Sequence, residues 1–185
     1  PKLISGETRM SISISEPQAG SDVGAIRTKA VRAGENWSIS GQKLWATGAG
    51  ARNCVINTYV RTDPEAPHQK GLSLFLIGND TPGMTVNKLD MLGRRCTGTY
   101  EIFFDDVTVA PERLVGGENR GWDCVLSGLQ AERIPSAARN CWAARAVVAL
   151  AAAPPRPRTP VGRPSGPNHD NHPNHRHRPS DVHAA

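Results

Sequence analysis

A chain of 185 residues holds one ordinary domain with a real core and is near the limit for two small ones. Its apolar content of 38%, with only 5% aromatic residues, supplies such a core without spreading it evenly along the chain. The formal charge of +5 comes from scattered arginines rather than from a basic stripe interleaved with aromatics, which argues against a nucleic-acid partner.

From Met10 the residues alternate, Met10, Ile12 and Ile14 apolar against Ser11, Ser13 and Ser15 polar, the period-2 pattern of a half-buried strand that must stop by Pro17. Residues 30–33 and 37–40 flank Gly34, Glu35 and Asn36, a short polar turn, and predict a hairpin. Residues 54–60, 72–77, 84–89 and 100–104 are further β-prone runs, punctuated by Pro64, Pro67, Gly71, Pro82, Gly83 and Gly93. Short strands at such spacing predict an antiparallel barrel or sandwich. After Pro111 the period changes: Trp122, Val125, Leu126 and Leu129 share one helical face. Helix-compatible composition continues over residues 136–153, with Pro135 expected to kink or restart it. Residues 154–185 hold 8 of the 15 prolines and 5 of the 6 histidines, a composition that predicts a disordered or out-of-frame tail.

The sharpest local feature is the run Ser15, Glu16, Pro17, Gln18, Ala19, Gly20, Ser21, Asp22. Gly20 allows close backbone approach to a ligand, and Ser21 offers N–H and O–H donors to a phosphate oxygen. An ordinary polar loop with an Asp cap is the plainer alternative. Asp105 and Asp106 read as a solvated turn beside a strand rather than as a paired acid and base.

Residues 14–22 match the flavin-domain signature of a hydrophobic residue, Ser or Thr, then Glu-Pro-x-Ala-Gly-Ser-Asp; Gly41, Gln42, Lys43, Leu44, Trp45, Ala46 and Thr47 match a second element. Residues 88–97 and 101–109, followed by Pro111 and by Leu114, Val115 and Gly116, complete an ordered set of four. On these residues the chain resembles the acyl-CoA dehydrogenase family over roughly residues 8–150. The resemblance implies a mainly β fold: an antiparallel β-barrel, the family's flavin-binding middle domain, over residues 1–115, then over residues 116–153 the first helix of an α-helical bundle, then the tail over 154–185.

The resemblance also implies FAD as cofactor, with Ile14, Ser15, Ala46 and Thr47 beside the isoalloxazine edge, Trp45 against the ring system and Ser21 near the flavin pyrophosphate or the CoA moiety. A core aromatic and a strand hydroxyl are the plainer readings of Trp45 and Thr47. The reaction it implies is α,β-dehydrogenation of an acyl-CoA thioester to trans-2-enoyl-CoA, with electrons passed to an electron-transfer flavoprotein by a cytoplasmic homo-oligomer. Glu132, directly before Arg133, falls where a minority of the family carries the base that removes the α-proton. Helical arithmetic puts it on the face of Trp122, Val125 and Leu129, pointing into an apolar surround that would raise its pKa, with an exposed Glu-Arg pair as the alternative. Gln130 and Arg133 fall where the pantetheine and thioester pass. Arg158 holds the position of an arginine that reaches a neighbouring subunit's flavin, although Pro160 and Val161 depart from the family pattern around it. An acyl-CoA oxidase or flavin monooxygenase on the same scaffold, and a non-catalytic remnant, are the competing readings.

Cys54, Cys96, Cys124 and Cys141 lack any C-x-x-C spacing and predict free thiols. His169, His172, His175 and His177 read as incidental to a tail rather than as a metal site, so no metal is expected. No apolar run is long enough to cross a bilayer.

Overall fold

The computed structural model describes residues 2–152, in two units: residues up to Leu126, and those from Ser127 onward. Eight strands build the first unit: β1 (Arg9–Ser13), β2 (Lys29–Ala33), β3 (Asn36–Thr47), β4 (Cys54–Arg61), β5 (Leu72–Gly78), β6 (Met84–Lys88), β7 (Thr99–Val109) and the short β8 (Leu114–Val115). They form one sheet in the order β6-β7-β3-β2-β4-β5-β8, with β1 paired to β4. Most pairings are antiparallel, as expected, but β1 runs parallel to β4, and β2 meets β4 in parallel at the single pair Lys29 and Arg61. The hydrogen-bonded path ends at β6 and β8 and does not close, so the expected barrel is an open sheet among the described residues.

Alternation explains most of the burial. Trp37 and Ile39 of β3, Ile56 and Val60 of β4, Phe75 and Ile77 of β5, and Ile102, Phe104 and Val107 of β7 form one buried cluster. Trp37 meets Phe75 edge to face at 5.4 Å between ring centres, and the Arg32 guanidinium lies 4.0 Å over the indole while pairing with Glu118 at 3.0 Å. The β2–β3 hairpin turns at Gly34, whose φ of +63° suits a residue without Cβ.

Two irregularities interrupt the β3–β7 ladder. Ile39 pairs with Val107 but Gly41 with Phe104, so Asp105 and Asp106 together oppose Ser40; rather than forming a solvated turn they make a bulge inside β7, where Asp106 accepts a 2.6 Å hydrogen bond from the Ser40 hydroxyl. Lys43 then pairs with Ile102 and Ala46 with Tyr100, leaving Leu44 and Trp45 as a second bulge, on β3. At Gly41 (φ +146°) a Cβ would stand 2.7 Å from Thr28 Cα, so only glycine lets this part of β3 lie against the start of β2.

Helix α1 (Gly121–Ala152) begins with Gly121 pressed against the Leu72–Ser73 backbone and with Val125 buried. Leu126, expected on the buried face, is 42% exposed. In the second unit the helix continues through Pro135 without the expected restart, at the expense of one backbone donor. Trp142 is exposed there, with the Arg145 guanidinium 5.3 Å from its ring centre. No helix among the described residues is long and apolar enough to cross a membrane. Cys54, Cys96 and Cys124 are free thiols.

Gly41→Ala is predicted to destabilise the chain by about 2 kcal/mol or more, because backbone must move to admit the methyl group. Gly20→Ala, whose added carbon meets nothing within 4 Å, should change stability by only about 0.5 kcal/mol. Urea unfolding midpoints compare the two; equal effects would refute the close-packing account.

Candidate functional site

Strict alternation from Trp37 and Ile39 would carry Trp45 and Thr47 into the core. The bulge at Leu44 and Trp45 reverses the phase, so that Ala46 is fully buried while Trp45, at φ +66°, is 53% exposed. Trp45 is therefore not a core aromatic. A β-branched or bulky side chain held in the left-handed region is strained, and such strain is kept only where the surroundings over-determine it.

The surroundings here are the end of β1 and the loop beyond it. Ser11 Oγ donates to Thr47 O at 2.8 Å, and Leu44 N donates to Ser15 O at 2.8 Å, so β1 and its continuation run alongside the last turn of β3 from Thr47 back to Leu44. The segment that carries Ile14 and Ser15 and the one that carries Trp45, Ala46 and Thr47 thus lie side by side. The hydroxyls of Ser15 and Thr47, both half-buried, make no hydrogen bond to the described residues. The segment over residues 11–15 meets β3 through the Ser11 hydroxyl and the Ile14 and Ser15 carbonyls, while Met10 and Ile12, alternate residues of β1, are each 44% exposed.

What holds this arrangement is a buried ion pair between two residues that the sequence reading quoted but gave no role. Lys43 Nζ lies 2.8 Å from Glu16 Oε1, the two side chains 0% and 2% exposed, and also donates to Ile14 O at 2.9 Å. Glu16 Oε1 further accepts from Thr28 N at 2.9 Å, and Oε2 accepts from Arg27 N at 2.6 Å and Gln18 Nε2 at 2.7 Å. Four donors thus satisfy the carboxylate's four lone-pair directions. Burial opposes the charged carboxylate, but the Lys43 ammonium and these hydrogen bonds together outweigh it and hold Glu16 below its ordinary 4.5. Burial pulls Lys43 down to about 8 against the attraction of Glu16, leaving it mostly charged at neutral pH. No local signal marks the pair: Lys43 follows Gln42, Glu16 precedes Pro17 and Gln18, and the two meet across 27 residues of chain.

Glu16 and Ala19 exchange backbone hydrogen bonds of 2.8 and 3.1 Å, closing a tight turn around Pro17 and Gln18. Gly20, Ser21 and Asp22 follow, all exposed, with the Ser21 hydroxyl unused. Asp22 precedes a 3-10 turn at Val23–Ala25, but its side chain caps nothing. Beyond it Gly24, Arg27, Lys29, Arg61, Ala66 and His68 border a cleft of about 470 Å³ that contains no acidic residue. Arg61 is committed to backbone carbonyls, including those of Ile26 and His68, whereas Arg27 and Lys29 have no ion-pair partner among the described residues.

Gln130, Glu132 and Arg133 are all exposed on α1, so the apolar surround expected around Glu132 is not supplied by the described residues. The inward orientation expected for Glu132 is not met among the described residues, because a helical face is buried only where something packs on it. Arg158 and the four tail histidines lie outside the described residues. No cluster that could hold a metal ion occurs among the described residues.

The first unit is thus a mainly β domain in which a bulge of β3 turns an indole outward, close to a buried Glu16–Lys43 pair. Residues 11–107 match the family model for the acyl-CoA dehydrogenase middle domain, and the chain belongs to the acyl-CoA dehydrogenase family. It is 42% identical over 149 residues to a (2S)-methylsuccinyl-CoA dehydrogenase of Cereibacter sphaeroides, covering 75% of this chain and 27% of that protein. To a mitochondrial isovaleryl-CoA dehydrogenase of Pongo abelii it is 40% identical over 136 residues, covering 72% and 32%. The crystal structure of an acyl-CoA dehydrogenase from Geobacillus kaustophilus superimposes with a TM-score of 0.88 at 32% identity, over 100% of this chain and 48% of that one. The chain therefore spans about a third of these curated relatives' length and about half of that solved structure.

Because Glu16 is held below its ordinary pKa, it adds stability that is complete above pH 4.5 and lost as the pH falls through the folded value: the unfolded carboxylate takes up its proton first. Stability is predicted to fall on acidification below pH 4.5 in the wild type, and to fall less steeply over that range in Glu16→Gln. Urea midpoints measured across the range check this; parallel curves for the two proteins would contradict it.

Proposed function

We propose that the cradle formed by Ile14, Ser15, Trp45, Ala46 and Thr47 holds the isoalloxazine edge of FAD, and that the protein to which this chain belongs oxidises an acyl-CoA thioester to trans-2-enoyl-CoA. The observation that carries the proposal is the β3 bulge, which turns Trp45 out of the core beside the Ser15 and Thr47 hydroxyls, unused by any of the described residues. Those features fit a flavin: a planar apolar ring wants an aromatic neighbour, and its nitrogen and carbonyl edge wants hydrogen-bond partners.

Bound FAD supplies the acceptor for the hydride that leaves the substrate's β-carbon. The protein's part is positional and electrostatic. Ser15 and Thr47 direct hydroxyl donors at the edge where negative charge builds, already oriented before reaction, and Trp45 excludes water from that edge. Ser21, on the exposed loop, donates to a phosphate oxygen of the cofactor or of CoA. The acid-free cleft bordered by Arg27, Lys29 and His68 is complementary to an anionic group such as the phosphates of an acyl-CoA. Within this chain the carboxylate proposed to take the α-proton is Glu132, with Gln130 and Arg133 along the thioester and pantetheine. Electrons pass to a separate flavoprotein, and the working protein is a homo-oligomer; both follow the family reading.

Titrating the purified chain with FAD is predicted to shift and sharpen the flavin's visible absorption bands and to stabilise the fold by about 2.7 kcal/mol when FAD exceeds Kd about a hundredfold. Thr47→Val, which removes one donor and keeps the side-chain shape, should weaken binding by about tenfold. A spectrum identical to free flavin, with no rise in Tm, would refute the cofactor reading.

A further inference from the structure

We propose that the buried Glu16–Lys43 pair is a positioning device for the cofactor cradle, acting through the backbone carbonyl of Ile14, and not solely a support for the fold; the inference rests on the flavin reading above. Lys43 Nζ holds two acceptors at once, Glu16 Oε1 at 2.8 Å and Ile14 O at 2.9 Å, and the next carbonyl along, that of Ser15, accepts from Leu44 N. Two successive carbonyls of one segment are therefore pinned from β3. Pinning both fixes the peptide planes between Ile14 and Glu16, and with them the direction in which Ser15 projects its hydroxyl.

On β3 the same lysine sets where the register slips. Lys43 is the last residue paired in step, with Ile102, before Leu44 and Trp45 bulge out. Anchoring its ammonium inside fixes the phase of the strand at that point, and the exposure of Trp45 two residues later follows. Through one side chain, then, the pair governs both walls of the cradle: Ile14 and Ser15 on one, Trp45 and Thr47 on the other. A support for the core alone would not need ions. Two well-packed apolar residues of similar volume commonly serve stability as well or better.

The distinction is testable in the 185-residue chain with Lys43→Met, Glu16→Gln and the double variant, each measured for Tm and for FAD affinity and absorption bands. Lys43→Met strands a charged carboxylate and should lower Tm sharply. The double variant buries no charge and should recover most of that loss, yet it still lacks the bond to Ile14 O; it is expected to bind FAD at least about tenfold more weakly than wild type, with bands shifted towards free flavin. A double variant that recovers Tm and also matches wild-type affinity and spectrum overturns the inference while leaving the cofactor reading intact. Wild-type chain that does not bind FAD overturns the cofactor reading and the inference with it. In the wild-type chain, independently of whether any variant folds, FAD binding should move the 13C resonance of the Ile14 carbonyl and the 15N resonance of the Lys43 ammonium; if both stay fixed while FAD binds, the pair is not coupled to the cradle.

Discussion

Taking a carboxylate and an ammonium out of water costs several kcal/mol per ion, and their mutual attraction offsets this only when the geometry is good and the remaining lone pairs and protons are satisfied. Glu16 meets those terms in full, and Lys43 places two of its three N–H donors, on Glu16 and on Ile14 O. The carboxylate receives four donors, from β3, from the Arg27 and Thr28 amides at the start of β2, and from Gln18 in its own turn. Gln18 aside, these contacts form only where the loop after β1 meets the approach to β2 and the end of β3. The pair therefore contributes less to the amount of stability than to the choice of one arrangement over its neighbours.

That choice is what a flavin site would require. Donors aimed at developing charge are effective when their orientation is set before reaction, and displacements of about 1 Å can remove much of the benefit. The protein achieves this with a sheet that is regular nearly everywhere and irregular twice on one ladder. The bulge in β7 at Asp105 and Asp106 shifts its register on β3, the lack of a side chain at Gly41 lets β3 lie against Thr28, and the bulge at Leu44 and Trp45 sends the indole outward. Local strain in Trp45 is held in place by the paired strand on one side and the β1 extension on the other.

Much of the fold is written locally in the chain. The alternation from Met10 to Ile14, the Gly34 turn between β2 and β3, and the change of period after Pro111 each have a short-range cause and each predicted an element close to the observed one. Non-local features left no such trace. The parallel pairing of β1 with β4, across more than forty residues, depends on what the intervening hairpin leaves free, and closure of the sheet cannot be read from strand spacing. Within the site, Ser15, Trp45 and Thr47 were recognisable by their runs, and the structure gathers them. The bulge was not: nothing in Leu44 or Trp45 marks a change of phase, and a period-2 reading would have buried both Trp45 and Thr47. The burial of Lys43 was likewise hidden, since a lysine in a strand ordinarily faces water and only its partner 27 residues away explains the exception. For Glu132 the helical period suggested an inward face, but burial depends on packing that the local sequence does not encode, and among the described residues the side chain is exposed.

The most direct measurement is hydrogen exchange at the amides of Arg27, Thr28 and Leu44. The first two donate to Glu16 and the third to Ser15, so if the ion pair binds these segments into one unit, the three amides should open with a common free energy and lose protection together in Glu16→Gln. Three unrelated exchange rates, or protection at Leu44 untouched by the substitution, would contradict the claim that this pair holds the cradle together.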